Sequence, residues 1–452
     1  GARLFSAVFG ALTFYLIVVE TARNISARTA VFTGIVFISS LLFAQEFHMS
    51  VPDPYLIFFI TATLVFFHRF DVSKAEKNLL FAYVFLGLGL LTKGPVAAVV
   101  VVIAAGLYFT FNRSWSFQNI RSFHPIKGAL LALFIALPWY VLAHIETEGA
   151  FTEGFFLDHN LHRFSDQKEG HGGPFIITPL LVILGLLPFG IWGIPAVIDA
   201  FKRKAGSTWL SLCLSVSIGV ISFFSLSSTK LPNYPMPAFG FLAVVIGVYL
   251  DRLSAENRKR PIVIGLWVLL LVSLALTVGV YFGLKSHAAL FNMSYLAYWV
   301  AVLPLSAFTA LIVIRRFSID KIIGVIAFGW MLFGSFLWSY LFNQISMYSP
   351  VAKTSEFIEA DGVVTIVYQR MDAAFPIQLQ RTFDKVSNRS ELLNKVSAFN
   401  DVLVLTNSKS REEIEWLSSN FELLVEAPAL FEDHTTRLFR VTRGDRQAQS
   451  PE

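Results

Sequence analysis

Long apolar runs recur from residue 3 to about residue 345, and they constrain the fold of this chain more than any other feature. Most of them approach the roughly 20 residues that a helix needs to cross a bilayer. They are too long for the strands of a membrane barrel, which need only about 10 residues each. Only 15% of the 452 residues are charged, whereas about a quarter are charged in soluble proteins. The sequence therefore predicts a polytopic α-helical membrane protein.

The apolar runs predict about twelve transmembrane helices, at residues 3–19, 29–46, 54–68, 78–92, 95–111, 126–143, 174–195, 209–227, 235–250, 261–284, 294–314 and 321–345. The loops between them alternate in positive charge. One set holds 18 Lys and Arg residues, and the alternate set holds five. Because cytoplasmic loops carry the excess of Lys and Arg, the first set is expected in the cytoplasm. The second set, and everything after residue 346, is then expected outside.

The composition changes near residue 351, where short β-branched runs begin to alternate with polar helical stretches. Such alternation indicates a small α/β domain with a partly parallel sheet. We therefore predict a membrane domain over 1–346, an α/β domain over 351–442 on the outer side, and a tail over 443–452.

Two further features of composition limit the partners. Cys213 is the one cysteine and lies in an apolar run, so it cannot form an internal disulfide and is expected to be a buried, inert thiol. The net charge of +5 is modest. It fits loops that face membrane lipids better than a nucleic-acid surface, and no nucleic-acid partner is expected.

Polar residues on the outer side gather in four places, the first being the segment before the helix at residue 54. Glu46, His48 and Asp53 lie there. Asp53 either caps the helix that starts at Pro54, or holds a substrate at the membrane surface; the two roles use different lone pairs and are compatible. The second place is the tight turn after residue 92, where Lys93 either snorkels to the interface or meets an anion.

The third place is the outer loop 144–173, which is long enough to suggest function. It holds Asp158, His159, His162, Arg163 and His171. If the segment is helical, His159 shares a face with His162 or Arg163. Histidine and aspartate could bind zinc, but no firm ligand spacing is present, and an anion-binding face made by Arg163 and the histidines is favoured.

The fourth place is the break between two apolar helices that contains Lys230 and Tyr234. Both residue types are common anchors at a membrane interface, which is the alternative to a binding role. Lysines, an arginine, histidines and carboxylates on one side of an apolar body are, however, what an enzyme needs to handle a lipid phosphate. Cations would hold the phosphate, and a carboxylate could orient or deprotonate an acceptor hydroxyl.

Four segments together resemble the GT-C fold membrane glycosyltransferases: "MSVPDPYLIFF", "GLGLLTKGPVA", "DHNLHRF…HGGP" and "SSTKLPNYPMPAFGFLAV". The nearest branch is the aminoarabinose lipid A transferases and their protein O-mannosyltransferase relatives. The resemblance covers residues 1 to about 345. It implies the bacterial cytoplasmic membrane as the location, with a periplasmic C-terminal domain.

The resemblance also implies roles for residues that match the motifs. Asp53 matches an outer acidic residue that helps to shape the acceptor or donor site, and Lys93 lies in the "LLTKGP" turn. Lys230 and Tyr234 match "KLPxY", which is expected beside the donor phosphate.

The histidine-rich loop matches the family as well. His159 and Arg163 fit its "H…RF" pattern, and His171 fits the histidine that follows. A histidine of this loop is associated with zinc in the lipid A branch, so His159 is a possible zinc ligand. Lys93, Arg163, Lys230 and Tyr234 are the residues expected at the donor phosphate.

The family has one more N-terminal helix than the twelve counted here, followed by an outer loop with the acidic residue that acts as the base. We expect this chain to begin after that loop, with the base encoded upstream of Gly1. No residue of this sequence is therefore assigned as the catalytic base, and Asp53 is assigned a supporting role.

The resemblance implies an enzyme that moves a sugar from a polyprenyl-phosphate donor to a glycolipid acceptor such as lipid A. Two alternatives stay open. The acceptor could be a protein Ser or Thr, as in the O-mannosyltransferases. A transporter of lipid-linked sugars, which is not an enzyme, would need polar residues deep inside the helices, and intramembrane charges are scarce in the sequence.

Overall fold

The computed structural model describes residues 2–156, 172–202, 207–360, 363–399, 401–430 and 432–442. The chain forms two compact units. The first comprises Gly1–Leu274 and Ala301–Ser335, and the second comprises Ala275–Val300 and Phe336–Glu452. The sheet of the second unit lies in the predicted C-terminal α/β region, while the predicted boundaries at 346 and 351 stay a prediction.

The helices up to the second unit's sheet are, in chain order, α1 (Ala2–Asn24), α2 (Ala27–Ile38), α3 (Leu41–Glu46), α4 (Asp53–Ser73), α5 (Glu76–Lys93), α6 (Val96–Phe111), α7 (Phe117–Ser122), α8 (Pro125–Glu146), α9 (Ala150–Glu153), α10 (Ile177–Gly185), α11 (Gly193–Lys202), α12 (Thr208–Leu226), α13 (Phe239–Ala255), α14 (Lys259–Ser286), α15 (Val302–Val313), α16 (Ile319–Phe336), α17 (Phe342–Ser346) and α18 (Pro350–Ile358). Each of the twelve predicted runs is helical in the described residues.

Several of these runs are not single helices. The predicted helix 29–46 ends at Ile38 and resumes at Leu41. At the break the Ser39 and Ser40 hydroxyls donate to the carbonyl oxygens of Ile35 and Phe37. The run 174–195 is divided by the 3-10 turn Phe189–Trp192, 294–314 starts as the 3-10 segment Phe291–Ala301, and 321–345 contains the π turn Leu337–Leu341.

Eight helices among the described residues are long and apolar enough to cross a membrane. They span Arg3–Asn24, Asp53–Ser73, Phe117–Glu146, Thr208–Leu226, Met236–Ala255, Lys259–Ser286, Phe291–Val313 and Ile319–Ser346. Helices α2 and α6 are apolar but shorter. The protein is thus a multi-pass membrane protein, as predicted, while the count of twelve crossings stays a prediction.

Buried carboxylates lie at both ends of α4. At its C-terminal end, Arg69 bonds to Glu20 of α1 with Nη2 and Oε1 2.5 Å apart, and Glu20 is almost fully buried. At its N-terminal end lies Asp53. Sixteen residues of helix separate Asp53 from Arg69, which is about 24 Å at 1.5 Å per residue. The residues between them are mainly apolar, as expected for a helix that crosses hydrocarbon.

The second unit carries a five-stranded sheet in the order β2-β1-β3-β5-β4. Its strands are β1 (Val364–Tyr368), β2 (Asp384–Val386), β3 (Asp401–Thr406), β4 (Glu422–Pro428) and β5 (Thr435–Thr442). Strand β1 runs parallel to β2 and β3, whereas β5 runs antiparallel to β3 and β4. The predicted small α/β domain with a partly parallel sheet is therefore confirmed.

Helices cover both faces of this sheet. On one face, α20 (Arg389–Ser397) and α21 (Arg411–Asn420) supply Leu392, Val396 and Leu417 to a core with Val402 and Val404 of β3. On the other face, α18 and α19 (Ala374–Gln378) pack Val351, Ile358 and Phe375 against Leu403 and Leu405. The alternation along β3 follows from the two-residue period of a strand.

Candidate active site

Asp53 and Lys93 form an ion pair in the first unit. Asp53 is the first residue of α4 and Lys93 the last residue of α5, and these two helices pack together as a hairpin. The Lys93 Nζ donates to the Asp53 Oδ1 over 2.6 Å. The expected cap at Asp53 is wrong: the helix begins at Asp53 itself, its N-cap is Pro52, and no side chain caps it. The Asp53 carboxylate instead accepts a hydrogen bond from Lys93.

Local sequence explains why Lys93 lies at this point. Gly94 follows α5 as its C-cap, and its φ of 70° lies in a region that glycine adopts without steric cost. Tyr140 of α8 holds the same helix end, because its hydroxyl lies 2.9 Å from the carbonyl oxygen of Leu90. The sequence reasoning did not identify Tyr140, and the only signal was a hydroxyl-bearing aromatic residue inside an apolar helix.

Glu46 is a buried carboxyl group next to the Asp53–Lys93 pair. It ends the six-residue helix α3, which is not a candidate span, and is 1% exposed. Its Oε1 has no hydrogen-bond partner in the part of the chain that the structure describes. Burial, followed by the Asp53 carboxylate, raises the pKa of Glu46 to about 7, and the Lys93 ammonium opposes this effect. A second negative charge here would disturb the pair.

We expect Glu46 to make stability fall as the pH rises. Its pKa is about 7 in the folded protein and 4.5 for an ordinary glutamate, so above pH 4.5 the unfolded chain loses a proton that the folded chain keeps. The resulting stability is complete below pH 4.5 and is lost as the pH rises through 7, with an upper bound of about 3 kcal/mol. The check is thermal unfolding of the detergent-purified Glu46→Gln variant between pH 5 and pH 8. This variant should not lose stability in this way as the pH rises.

The exposed Glu359→Gln variant is the matched control for the pH experiment, because Glu359 lies at the surface of the second unit. It should keep the pH dependence of the unmodified protein. Identical pH dependence in Glu46→Gln and Glu359→Gln would contradict the assignment of a buried, neutral carboxyl group to Glu46.

Lys230 is a buried cation without a carboxylate partner among the described residues. It is 7% exposed, and its Nζ donates to the carbonyl oxygens of Ser225 at 3.0 Å and Ser227 at 2.6 Å. These two acceptors lie at the C-terminal end of α12, where carbonyl groups are left unpaired by the helix and attract cations. An ammonium group has three protons, so one is left for another acceptor.

Tyr234 connects the Lys230 segment to the ion pair. The Lys93 Nζ lies 5.8 Å from the centre of the Tyr234 ring, within the range of a cation–π contact. The same ring packs against Phe224 with centres 5.4 Å apart. The structure therefore brings together Asp53, Lys93 and Tyr234, which are predicted from three separate sequence segments.

The other predicted residues are placed differently. His48 is exposed, and its Nδ1–H donates to the Ala44 carbonyl oxygen over 2.6 Å, so this nitrogen is used locally. Five predicted residues lie outside the described residues: Asp158, His159, His162, Arg163 and His171. The anion-binding loop and the zinc ligand His159 stay predictions. Within the described ranges, no group of three or more His, Cys, Asp or Glu residues could hold a metal ion.

Comparison with known proteins gives matches along the sequence. A family model described as dolichyl-phosphate-mannose-protein mannosyltransferase matches residues 1–150. An undecaprenyl phosphate-alpha-4-amino-4-deoxy-L-arabinose arabinosyl transferase from Edwardsiella ictaluri is 28% identical over 340 residues, which is 73% of this chain and 57% of the relative. A transferase of the same name from Pseudomonas aeruginosa is 30% identical over 301 residues, covering 63% of this chain and 52% of the relative.

Two solved structures match the whole chain. They are ArnT from Cupriavidus metallidurans bound to undecaprenyl phosphate, with a TM-score of 0.77, and the same protein in the apo state, with a TM-score of 0.78. Both are 20% identical, and the match covers 85% and 84% of those chains. The chain has the fold of the GT-C membrane glycosyltransferases. This confirms the predicted GT-C fold class, although the chain spans little more than half the length of the curated relatives it matches.

Proposed function

We propose that this protein is a glycosyltransferase of the bacterial inner membrane. It moves a sugar from a polyprenyl-phosphate donor to a glycolipid acceptor resembling lipid A, on the periplasmic face. The names of the sequence relatives support an undecaprenyl-phosphate donor, and the GT-C fold supports catalysis at a membrane surface. The alternation of loop charge supports the periplasmic side for Asp53, Lys93 and Lys230.

The observation that carries this proposal is a lysine at the Tyr234 ring, Lys93, with a second lysine, Lys230, four residues before that tyrosine in the chain. Lys230 is buried without a carboxylate partner among the described residues, which is unfavourable for a cation unless an anion arrives. Lys93 is paired with Asp53 and touches the Tyr234 ring. A phosphate monoester or diester carries the negative charge that Lys230 lacks and that Lys93 receives, among the described residues, only from Asp53.

In the proposed reaction an acceptor oxygen attacks the anomeric carbon of the donor sugar. A new bond forms between that carbon and the acceptor oxygen, and the bond from the carbon to the phosphate oxygen breaks. The electron pair leaves with the phosphate, whose charge Lys93, Lys230 and Arg163 would stabilise, with a hydrogen bond from the Tyr234 hydroxyl. If the acceptor is a hydroxyl, it would release its proton to a base. None of the described residues is assigned as that base. Asp53 orients Lys93.

Reconstituted transfer tests the proposal. The purified chain is placed in liposomes with undecaprenyl-phosphate 4-amino-4-deoxy-L-arabinose and lipid A, and the products are analysed by mass spectrometry. We expect lipid A heavier by one sugar residue, together with free undecaprenyl phosphate. Donor that stays intact with every acceptor offered would overturn the proposal.

A protein acceptor is the second candidate, because the mannosyltransferase family model matches the first third of the chain. The same liposomes then receive polyprenyl-phosphate mannose and a Ser/Thr-rich peptide. Glycosylated peptide with unmodified lipid A would favour this candidate, whereas modified lipid A with unmodified peptide would exclude it.

A further inference from the structure

Basic residues gather where three consecutive helices of the first unit reach the side that is expected in the cytoplasm. Three of them stand at the start of α14, two follow the end of α15, and one lies in the first turn of α16. Each of these helices belongs to a candidate span, so the cations lie at the level of the membrane interface. The six residues, which we call the basic cluster, are Arg258, Lys259, Arg260, Arg315, Arg316 and Lys321.

Lys259 and Phe317 join the three helix ends. The Lys259 Nζ donates to the carbonyl oxygens of Ile314 at 2.8 Å and of Phe317 at 3.1 Å. These acceptors lie just after α15, where a helix leaves its last carbonyl groups unpaired. On the other side of the same turn, the Lys321 Nζ lies 5.2 Å from the centre of the Phe317 ring. The basic cluster is therefore one continuous surface, although its members are far apart in the sequence.

The carboxylates nearby do not neutralise the basic cluster. Asp320 of α16 and Asp251 of α13 both pair with Arg28 of α2, at 3.2 Å and 3.3 Å. Glu256 pairs with Arg258 at 3.6 Å. Together with Arg28, the cluster has seven basic residues against these three carboxylates, which leaves four positive charges. Within the described ranges, no ion pair involves Lys259, Arg260, Arg315, Arg316 or Lys321.

Basic residues elsewhere on the same side are treated differently by the fold. Lys74 pairs with Asp71 at 2.8 Å, and Arg252 pairs with Asp199 at 2.5 Å. In the basic cluster, cations without such partners stand side by side, and like charges repel each other unless an anion lies between them. Most of the cluster is open to an anion from outside, because its exposed members are Arg258, Arg260, Arg315, Arg316 and Lys321.

An exposed apolar stripe leads along α14 to the basic cluster. Ile264, Trp267 and Leu271 are each more than half exposed. They follow Arg260 at the spacing i+4, i+7 and i+11, so all of them lie on the helix face that begins with Arg260. This face lies within a candidate span and is suited to contact lipid chains.

Helix α15 has a second stripe of the same kind. Leu305, Phe308 and Ile312 are each at least half exposed and follow one another at helical spacing. The next positions in that spacing are Arg315 and Arg316. Cations at the end of two exposed apolar stripes fit an amphiphile with an anionic head, whereas a soluble polyanion would use the cations alone.

We propose that the basic cluster binds an anionic phospholipid of the cytoplasmic leaflet that carries two phosphates, as cardiolipin does. The four remaining positive charges exceed the single negative charge of one phosphate diester, and two phosphates in one headgroup neutralise more of them in a single binding event. Basic sites between the cytoplasmic ends of transmembrane helices are suited to such headgroups. The acyl chains lie along the exposed stripes of α14 and α15. This binding does not depend on the transfer reaction.

Binding is measured by native mass spectrometry of the full chain in detergent, titrated with cardiolipin, phosphatidylglycerol or phosphatidylcholine. We expect cardiolipin to bind at least about tenfold more tightly than the other two lipids. The double variant Arg315→Gln/Arg316→Gln should bind cardiolipin at least about tenfold more weakly, and Arg315→Lys/Arg316→Lys, which keeps both charges, should bind it normally. Equal affinities for cardiolipin and phosphatidylglycerol would overturn the proposal, as would a short RNA that binds as tightly as cardiolipin.

Lys77→Gln/Lys127→Gln is the matched control. Both lysines are exposed in the first turns of α5 and α8 on the same side of the membrane, so this variant removes the same amount of charge outside the basic cluster. It should bind cardiolipin as the unmodified protein does, and thermal unfolding of both glutamine variants checks that each is folded. Equal loss of binding in the two glutamine variants would overturn the proposal. Transfer activity without a preference for cardiolipin would refute this site alone and leave the proposed function intact.

Discussion

A Lys93→Met variant should lose sugar transfer by about 10²- to 10³-fold, the effect of removing one preorganised donor to a developing negative charge. The substitution removes the ammonium that lies 2.6 Å from Asp53 and leaves that carboxylate buried beside Glu46. A phosphate that leaves the sugar would then meet carboxyl groups without their counter-charge. Transfer is measured with the liposome assay at saturating acceptor.

Lys285→Met is the matched control for Lys93→Met. Lys285 also lies in the last turn of an apolar helix, and its Nζ lies 5.7 Å from the Tyr281 ring. It therefore shares the helix position and the aromatic contact of Lys93 but has no place in the proposed donor site. We expect this variant to transfer sugar at the rate of the unmodified protein.

A double variant separates catalysis from folding. Removing Lys93 alone leaves Asp53 as an uncompensated buried charge, which destabilises a protein by about 3–5 kcal/mol. Asp53→Asn combined with Lys93→Met removes both charges, so thermal stability should recover while transfer stays lost. Transfer that recovers together with stability would show that Lys93 serves only the fold.

The fold class could be predicted from the sequence because its apolar runs are long and recur along the chain. Twelve apolar runs and a change of pattern near residue 351 predicted the helices and the small α/β domain. What could not be predicted was local. The break at Ser39 and Ser40 gave no sequence signal, because serine also occurs inside the continuous helices of this chain.

The candidate site was predicted less completely, for a physical reason. Asp53 and Lys93 are 40 residues apart and Tyr234 is far from both, so their meeting depends on how the helices pack. Resemblance to a family assigned them to one site, whereas composition and spacing could not.

The two lysines of the proposed donor site differ in how they are held, and this determines what each one can do. Lys93 is bound to a carboxylate, so its charge is already neutralised and a phosphate must compete with Asp53. Lys230 is bound to two neutral carbonyl groups, so its charge remains available. Attraction between an anion and a cation is strongest where no other charge screens it. Lys230 should therefore contribute more to phosphate binding than Lys93.

A Lys230→Met variant should consequently abolish transfer, with a loss of at least about 10³-fold, and should bind undecaprenyl phosphate at least tenfold more weakly. Ser227→Ala is the control, because it removes a hydroxyl bond to the Thr229 carbonyl in the same turn and keeps the ammonium. Binding is measured by titrating undecaprenyl phosphate into the nanodisc-embedded protein, and thermal unfolding of each variant is recorded in parallel. Lys230→Met could lower the unfolding temperature and still bind undecaprenyl phosphate as tightly as Ser227→Ala does. That result would show that the Lys230 ammonium only stabilises the end of α12 and that the donor phosphate binds elsewhere.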